Sequence, residues 1–193
     1  MSFEEREYST LIISASEKFT SSVIPYLKRY TSSPTVAASG GEGKRCILEK
    51  EYDIVIVNSP LRDENGLKLA IDVSQGKNTV CLLTVKAEDY EDAVERAVDN
   101  GVFILSKPLF APQLSQCLVH MAATLSRLRR MEKKSLSLEE KMEEIRLVNR
   151  AKWLLTENLK MTEPDAHRYI ERQAMNTCRT KKEVSVEIIN TYR

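Results

Sequence analysis

Residues 9 to about 110 predict an α/β fold, a five-stranded parallel sheet with helices on both faces, ahead of a long helix and a small helical bundle. Three observations predict it. Short apolar runs alternate with amphipathic stretches of roughly 10–15 residues, the order expected of parallel strands joined by crossover helices. The runs are almost continuous in Val, Ile and Leu, as strands buried on both faces require. Beyond Lys107-Pro108 the strands stop, and between Pro112 and about Asn158 there is no further proline and no glycine.

Ser9 to Ser14 (STLIIS) is the first strand, followed by a helix with Phe19, Val23, Ile24, Leu27 and Tyr30 at helical spacing. Thr35 to Ala38 is a weak second strand, and Gly40-Gly41 opens a helix carrying Cys46, Ile47 and Leu48. Asp53 to Val57 is the third strand, ending at Asn58, and Leu67 to Val73 is the helix after it. Thr79 to Thr84 (TVCLLT) is the fourth strand, followed by a helix holding Tyr90, Ala93, Val94 and Ala97. Asn100-Gly101 ends that helix as a C-terminal cap, and Val102 to Leu105 is the fifth strand.

The long helix carries apolar residues at 114, 118, 121, 125 and 128, the spacing of a coiled-coil seam. A basic stretch, RLRRMEKKS, interrupts the seam around Met131 to Ser137, and it resumes at Leu138, Met142, Ile145 and Val148. Unbroken, such a helix of about 47 residues would be ~70 Å long. Either its exposed seam pairs with a second copy, making a homodimer through residues 114–148, or it breaks near 132–137 and folds back; the first is expected. Two short helices follow. Thr162-Glu-Pro-Asp165 and Thr180-Lys-Lys-Glu183 each place an N-cap Thr three residues before an acid. Ala166, Tyr169, Ile170, Val184, Ile188 and Ile189, with Leu154 and Leu155, supply a small three-helix core, and Trp153 is assigned there as well. The expected domains are residues 1–110, a helical linker over 111–139, and residues 140–193.

Composition narrows the function classes. The 193 residues hold 29 Lys and Arg against 28 Asp and Glu, so any nucleic-acid contact depends on local clustering. No apolar run approaches the ~20 residues of a membrane span. The start, MSFEEREYS, lacks a secretory signal's basic and apolar regions, and a cytoplasmic protein without membrane contact is expected. Cys46, Cys81, Cys117 and Cys178 are scattered without a CxxC pair, and His120 and His167 lie far apart. Neither a structural disulfide framework, a zinc site nor a histidine-based triad is expected, and no enzyme activity, metal or cofactor is assigned.

Five β/α units ahead of a helical tail, with Asn58 ending the third strand, Gly66 eight residues further, Thr84 ending the fourth and Lys107-Pro108 after the fifth, resemble a response-regulator receiver domain of flavodoxin-like fold. The resemblance implies a phosphoryl-accepting Asp at the third strand's end, an acidic pair after the first strand for Mg²⁺, a phosphate-sensing Thr or Ser, and a Lys. Thr84 and Lys107 match. Asn58 stands in place of the acceptor, and Ser14, Ala15 and Ser16 stand in place of the acidic pair, with Glu17 the one acid nearby. Phosphoryl transfer wants a carboxylate nucleophile and a hard cation held by carboxylates, so a receiver that is not phosphorylated is expected. Lys107 then either bonds Asn58 or reaches solvent.

Residues 140–193 resemble the ANTAR domain, a three-helix RNA-binding output of transcription antiterminators. The resemblance lies in Ala151-Lys152-x-Leu154-Leu155, Met161-Thr162-Glu163, Asp165-Ala166, Arg172-x-x-Met175 and Arg179 to Glu183-Val184. Trp153 departs from it where Gly is usual, and Cys178 where Asn is frequent. Residues 150–193 hold nine Lys and Arg against six Asp and Glu. Lys152, Arg172, Gln173, Thr177, Arg179, Thr180, Lys181 and Lys182 are the expected RNA contacts, with Arg172, Arg179, Lys181 and Lys182 concentrated around the turn between the last two helices. The resemblance implies an antitermination regulator acting as a dimer on paired stem-loops of leader mRNA, controlled without phosphorylation. The rival is an adaptor whose altered receiver docks a kinase or a metabolic sensor protein.

Overall fold

The computed structural model describes residues 7–76 and 78–192. They form two compact units, Met1–Arg130 and Met131–Arg193.

In the first unit five parallel strands, β1 (Thr10–Ile13), β2 (Thr35–Ala37), β3 (Ile54–Asn58), β4 (Val80–Lys86) and β5 (Phe103–Lys107), lie in the order β2-β1-β3-β4-β5. Between them run α1 (Glu17–Leu27), α2 (Gly40–Glu49), α3 (Gly66–Ser74) and α4 (Tyr90–Ala97). A long helix, α5 (Ala111–Leu159), follows β5 and continues through the basic stretch that interrupts its apolar seam, without the break near 132–137 that was the alternative.

The two-residue period of a strand sorts side chains to opposite faces. Leu11, Ile13, Val55, Val57, Cys81 and Leu83 join one buried cluster with Leu67, Ala70 and Ala93 of α3 and α4. Ile12, Ile54, Ile56, Val80 and Leu82 join the other with Val23 and Leu27 of α1. That second cluster also takes Leu114, Leu118, Met121 and Leu125 of α5. The first half of the expected dimer seam is therefore the helix face that covers this chain's own sheet. The 4-3-4 spacing satisfies a sheet as well as a second helix, because both need a narrow apolar stripe. Arg129 anchors the same segment through an ion pair to Asp53 at 2.5 Å and by lying over the Tyr8 ring.

Local chemistry sets the ends of the elements. Ser16, Ser39 and Asn65 cap α1, α2 and α3 by accepting a backbone N–H in the first turn. Gly101 adopts the left-handed conformation, φ 75°, that releases the chain into β5. A Cβ on Gly66 would lie 2.7 Å from Val57, so glycine lets α3 start hard against β3. In α2, Cys46 and Ile47 pack against the first cluster, whereas Leu48 is exposed.

The second unit comprises the last part of α5 with α6 (Glu163–Thr177) and α7 (Lys181–Thr191). Val148, Ala151, Leu154 and Leu155 pack with Ala166, Ile170, Ala174, Val184, Ile188 and Ile189. Thr162 caps α6, and Thr180 with Glu183 forms a reciprocal capping box on α7. The Thr180 N–H holds the Glu183 carboxyl below its usual range, and the Thr180 hydroxyl adds to that effect. Tyr169 packs against this core, whereas Trp153, assigned to it from sequence, is 60% exposed.

Candidate functional site

Two places bring the expected functional residues together, one in each unit. The first lies at the carboxyl ends of the strands, where the order reverses between β1 and β3 and open α/β sheets bind their ligands. Asn58 ends β3 with its amide buried. Its Nδ2 donates to Ser14 Oγ at 3.0 Å. Its Oδ1 accepts from Thr84 Oγ1 at 3.1 Å and from Lys107 Nζ at 3.0 Å. Lys107 also donates to the Ser59 carbonyl, so of its two open orientations it takes the inward one. Burial pushes the Lys107 ammonium below its ordinary pKa, and Lys86 nearby adds to the shift. No carboxylate among the described residues forms an ion pair with it.

This network uses both ends of an amide. A carboxylate at residue 58 would accept from Lys107 and Thr84 but could not donate to Ser14. Ser16 is the α1 cap, and Ala15 offers no polar group; both lie in the loop leaving β1. Ser14, Ala15, Glu17 and Arg62 share a cavity of about 350 Å³. The donor set does not fit Mg²⁺. A hard cation seeks several carboxylate oxygens, yet the available amide oxygen already accepts from an ammonium. No cluster of three His, Cys, Asp or Glu able to hold a metal occurs among the described residues.

Asp63 has a role that its place in a loop did not announce. It accepts from the Gly40 and Gly41 N–H groups, each at 2.8 Å, at the start of α2. The bond from Gly41, then that from Gly40, holds its carboxyl below the ordinary value of 3.8. Lys44 and Glu64 form an ion pair across the same junction. The loop that follows Asn58 is thus tied to α2. An acid facing a Gly-Gly helix start is the sequence signal for this pairing.

In the second unit the expected RNA contacts divide by their partners. Arg179 pairs with Glu187, Lys181 with Glu171 and Lys152 with Glu163. The Thr180 hydroxyl serves the capping box, and the Thr177 hydroxyl donates to the Gln173 carbonyl. Arg172 and Lys182 are exposed and make no ion pair among the described residues. Sequence spacing placed Arg172, Arg179, Lys181 and Lys182 near one turn but could not show which were neutralised.

Comparison with known proteins adds to this geometry. The ANTAR domain model matches residues 136–189, the segment that builds the three-helix core. The chain thus has a receiver fold followed by a segment that matches the ANTAR domain. It is 29% identical over 160 residues to the transcriptional regulatory protein PdtaR of Mycobacterium tuberculosis, in strains CDC 1551 and H37Rv, covering 81% of this chain and 78% of PdtaR. The signal receiver domain of an HD domain-containing protein from Pseudomonas fluorescens superposes with a TM-score of 0.57 at 20% identity, covering 67% of this chain and 96% of that one. A CheY-like receiver domain protein from Methanospirillum hungatei gives 0.52 at 16% identity, covering 65% and 98%. These two likenesses establish the receiver fold. No helix among the described residues is long and apolar enough to cross a membrane.

Proposed function

We propose that this regulator binds leader mRNA through its ANTAR unit and promotes transcription past a terminator, acting as a dimer on paired stem-loops. The match of residues 136–189 to the ANTAR domain, on a segment with its own three-helix core, is the observation that carries this reading. Arg172 and Lys182 are the exposed, unpaired cations of α6 and α7 available to phosphates. Arg179, Lys181 and Lys152 reach RNA by exchanging their carboxylate partners for it.

The control is independent of phosphorylation at Asn58. An amide is a poor nucleophile, and the network around it is closed by Lys107, Thr84 and Ser14. The dimer contact is the remaining exposed stripe of α5, Met131, Leu138, Met142 and Ile145, whose steps of seven, four and three residues are those of a two-helix seam. Val148, expected to extend that seam, belongs instead to the three-helix core. A receiver freed from phosphoryl chemistry leaves a sensor protein, or the regulator's own abundance, as the input.

Binding to a two-hairpin leader RNA and to a scrambled control tests the reading. Replacing Arg172 and Lys182 by Ala together is expected to weaken the first complex and to lower its salt dependence by about one to two counterions. Equal affinity for both RNAs, unaffected by these changes, would point to a protein-docking adaptor.

A further inference from the structure

Trp153 is the single tryptophan of the chain, and 60% of it is exposed. Burying a tryptophan removes roughly 150–250 Å² from water, and a small helical unit gains from every such residue. The other aromatic residues of this unit, Tyr169 and Tyr192, do pack against its core. Trp153 faces the other way. At 100° per residue it lies roughly 200° around the helix from both Ala151 and Leu155, which are fully buried.

Its neighbours on that side of α5 are Asn149 and Arg150, four and three residues earlier, Arg146, one further turn back, and Thr156 and Glu157, three and four residues on. All are exposed. Neither arginine makes an ion pair among the described residues, in contrast to Lys152, Arg168, Arg179 and Lys181, each of which has a carboxylate partner. The surface is an indole beside two unneutralised guanidinium groups, with one acid at its far end. At 100° per residue Trp153 lies about 20° from Met142, so it borders the dimer seam, but the apolar steps of that seam end at Ile145. Beyond Ile145 the seam positions are Asn149, Lys152 and Thr156, all polar, and Lys152 is held by Glu163.

We propose that Trp153 is a stacking platform for an unpaired RNA base, with Arg146 and Arg150 holding the adjoining phosphates. The inference rests on the RNA-binding reading above and specifies the form of RNA that this face accepts. In an A-form duplex the bases are stacked within the helix and present no free face. An indole gains its stacking energy only from a base splayed out of a loop, bulge or strand end. Each such contact contributes about 1–3 kcal/mol and tolerates any base. Arginine suits the flanks, since its guanidinium can fork-bond a phosphate or lie flat on a neighbouring base.

The single tryptophan supplies its own probe. A hairpin RNA with a fixed stem and a randomised loop, selected in vitro on the full chain, provides the ligand. Titrating it into the protein is expected to quench tryptophan emission strongly. Trp153→Ala should raise Kd by roughly 5- to 150-fold, the equivalent of one stacked base, while Trp153→Phe restores most of the affinity. Neither exposed substitution should alter thermal melting or sedimentation. Tight binding with unchanged emission and an unchanged Kd in Trp153→Ala would overturn the inference while leaving RNA binding intact. A change of Trp153→Ala confined to sedimentation would overturn it in favour of self-association. Failure to select any RNA would remove the RNA reading itself and this inference with it.

Discussion

Asn58 holds three neighbours because an amide both donates and accepts. Changing it to Asp keeps the acceptor for Lys107 and Thr84, and the Ser14 hydroxyl can turn to donate in place of the lost N–H. Asn58→Asp is therefore expected to fold, and still to form no stable adduct with acetyl phosphate and Mg²⁺. The cation-holding carboxylates are missing independently of residue 58, at Ser14 and Ala15. Mass spectrometry after incubation decides this, and an adduct on the single variant would show that the acceptor alone was limiting. Adding Ser14→Asp and Ala15→Asp is the change expected to bring the reaction back. Asp63 makes a second prediction at this scale. Its folded pKa lies below 3.8, so the carboxylate's stabilising contribution is complete above about pH 4 and is lost as pH falls through the lower folded value. Asp63→Asn should reduce the urea midpoint at neutral pH, and its difference from the unsubstituted chain should vanish in acid. A difference that persists unchanged in acid would rule out the bonds to Gly40 and Gly41 as its source.

Along α5 one spacing serves two purposes, and the burial of single residues separates them. Leu118 is fully buried against the sheet, so Leu118→Ala should cost about 2–5 kcal/mol of the first unit's stability by leaving a cavity. Ile145 is 59% exposed, and Ile145→Ala should leave the melting of a dilute sample nearly unchanged while weakening self-association. Equal effects on denaturant midpoints would refute this division of the helix. The sequence made the five strands, their connecting helices and the caps legible because each rests on local chemistry, such as period-two apolar runs, Thr180 with Glu183, and Gly101. It could not separate Leu118 from Ile145, since an amphipathic stripe does not state whether a sheet or a second helix covers it. Trp153 was misplaced for a related reason. Aromatics at helical spacing are usually core, but Ala151, Leu154 and Leu155 already fill the inner face. At the end of α6, Cys178 takes the left-handed conformation, φ 52°, that Gly or Asn adopts more readily. Cys178→Gly should therefore raise stability by about 1 kcal/mol, read as a higher Tm under reducing conditions.

For the molecule as a whole, the two proposed properties are linked by mass action. If two copies pair through Met131, Leu138, Met142 and Ile145, each dimer carries two ANTAR units, and an RNA with two hairpins can engage both. The second contact is then intramolecular, with an effective concentration near the millimolar range for a short linker, and the gain over one hairpin should be on the order of 10²-fold or more. Charge placed in the seam separates this avidity from contact chemistry. Met142 and Ile145 are exposed in the single chain, so Met142→Asp with Ile145→Asp removes no core packing, yet a desolvated pair of like charges in a seam opposes association. The variant is expected to sediment as a monomer, to keep the unsubstituted chain's affinity for a single hairpin, and to lose its preference for two. Were the preference to survive in a protein shown to be monomeric, it would have to arise within one ANTAR unit, and the seam would have no part in RNA recognition.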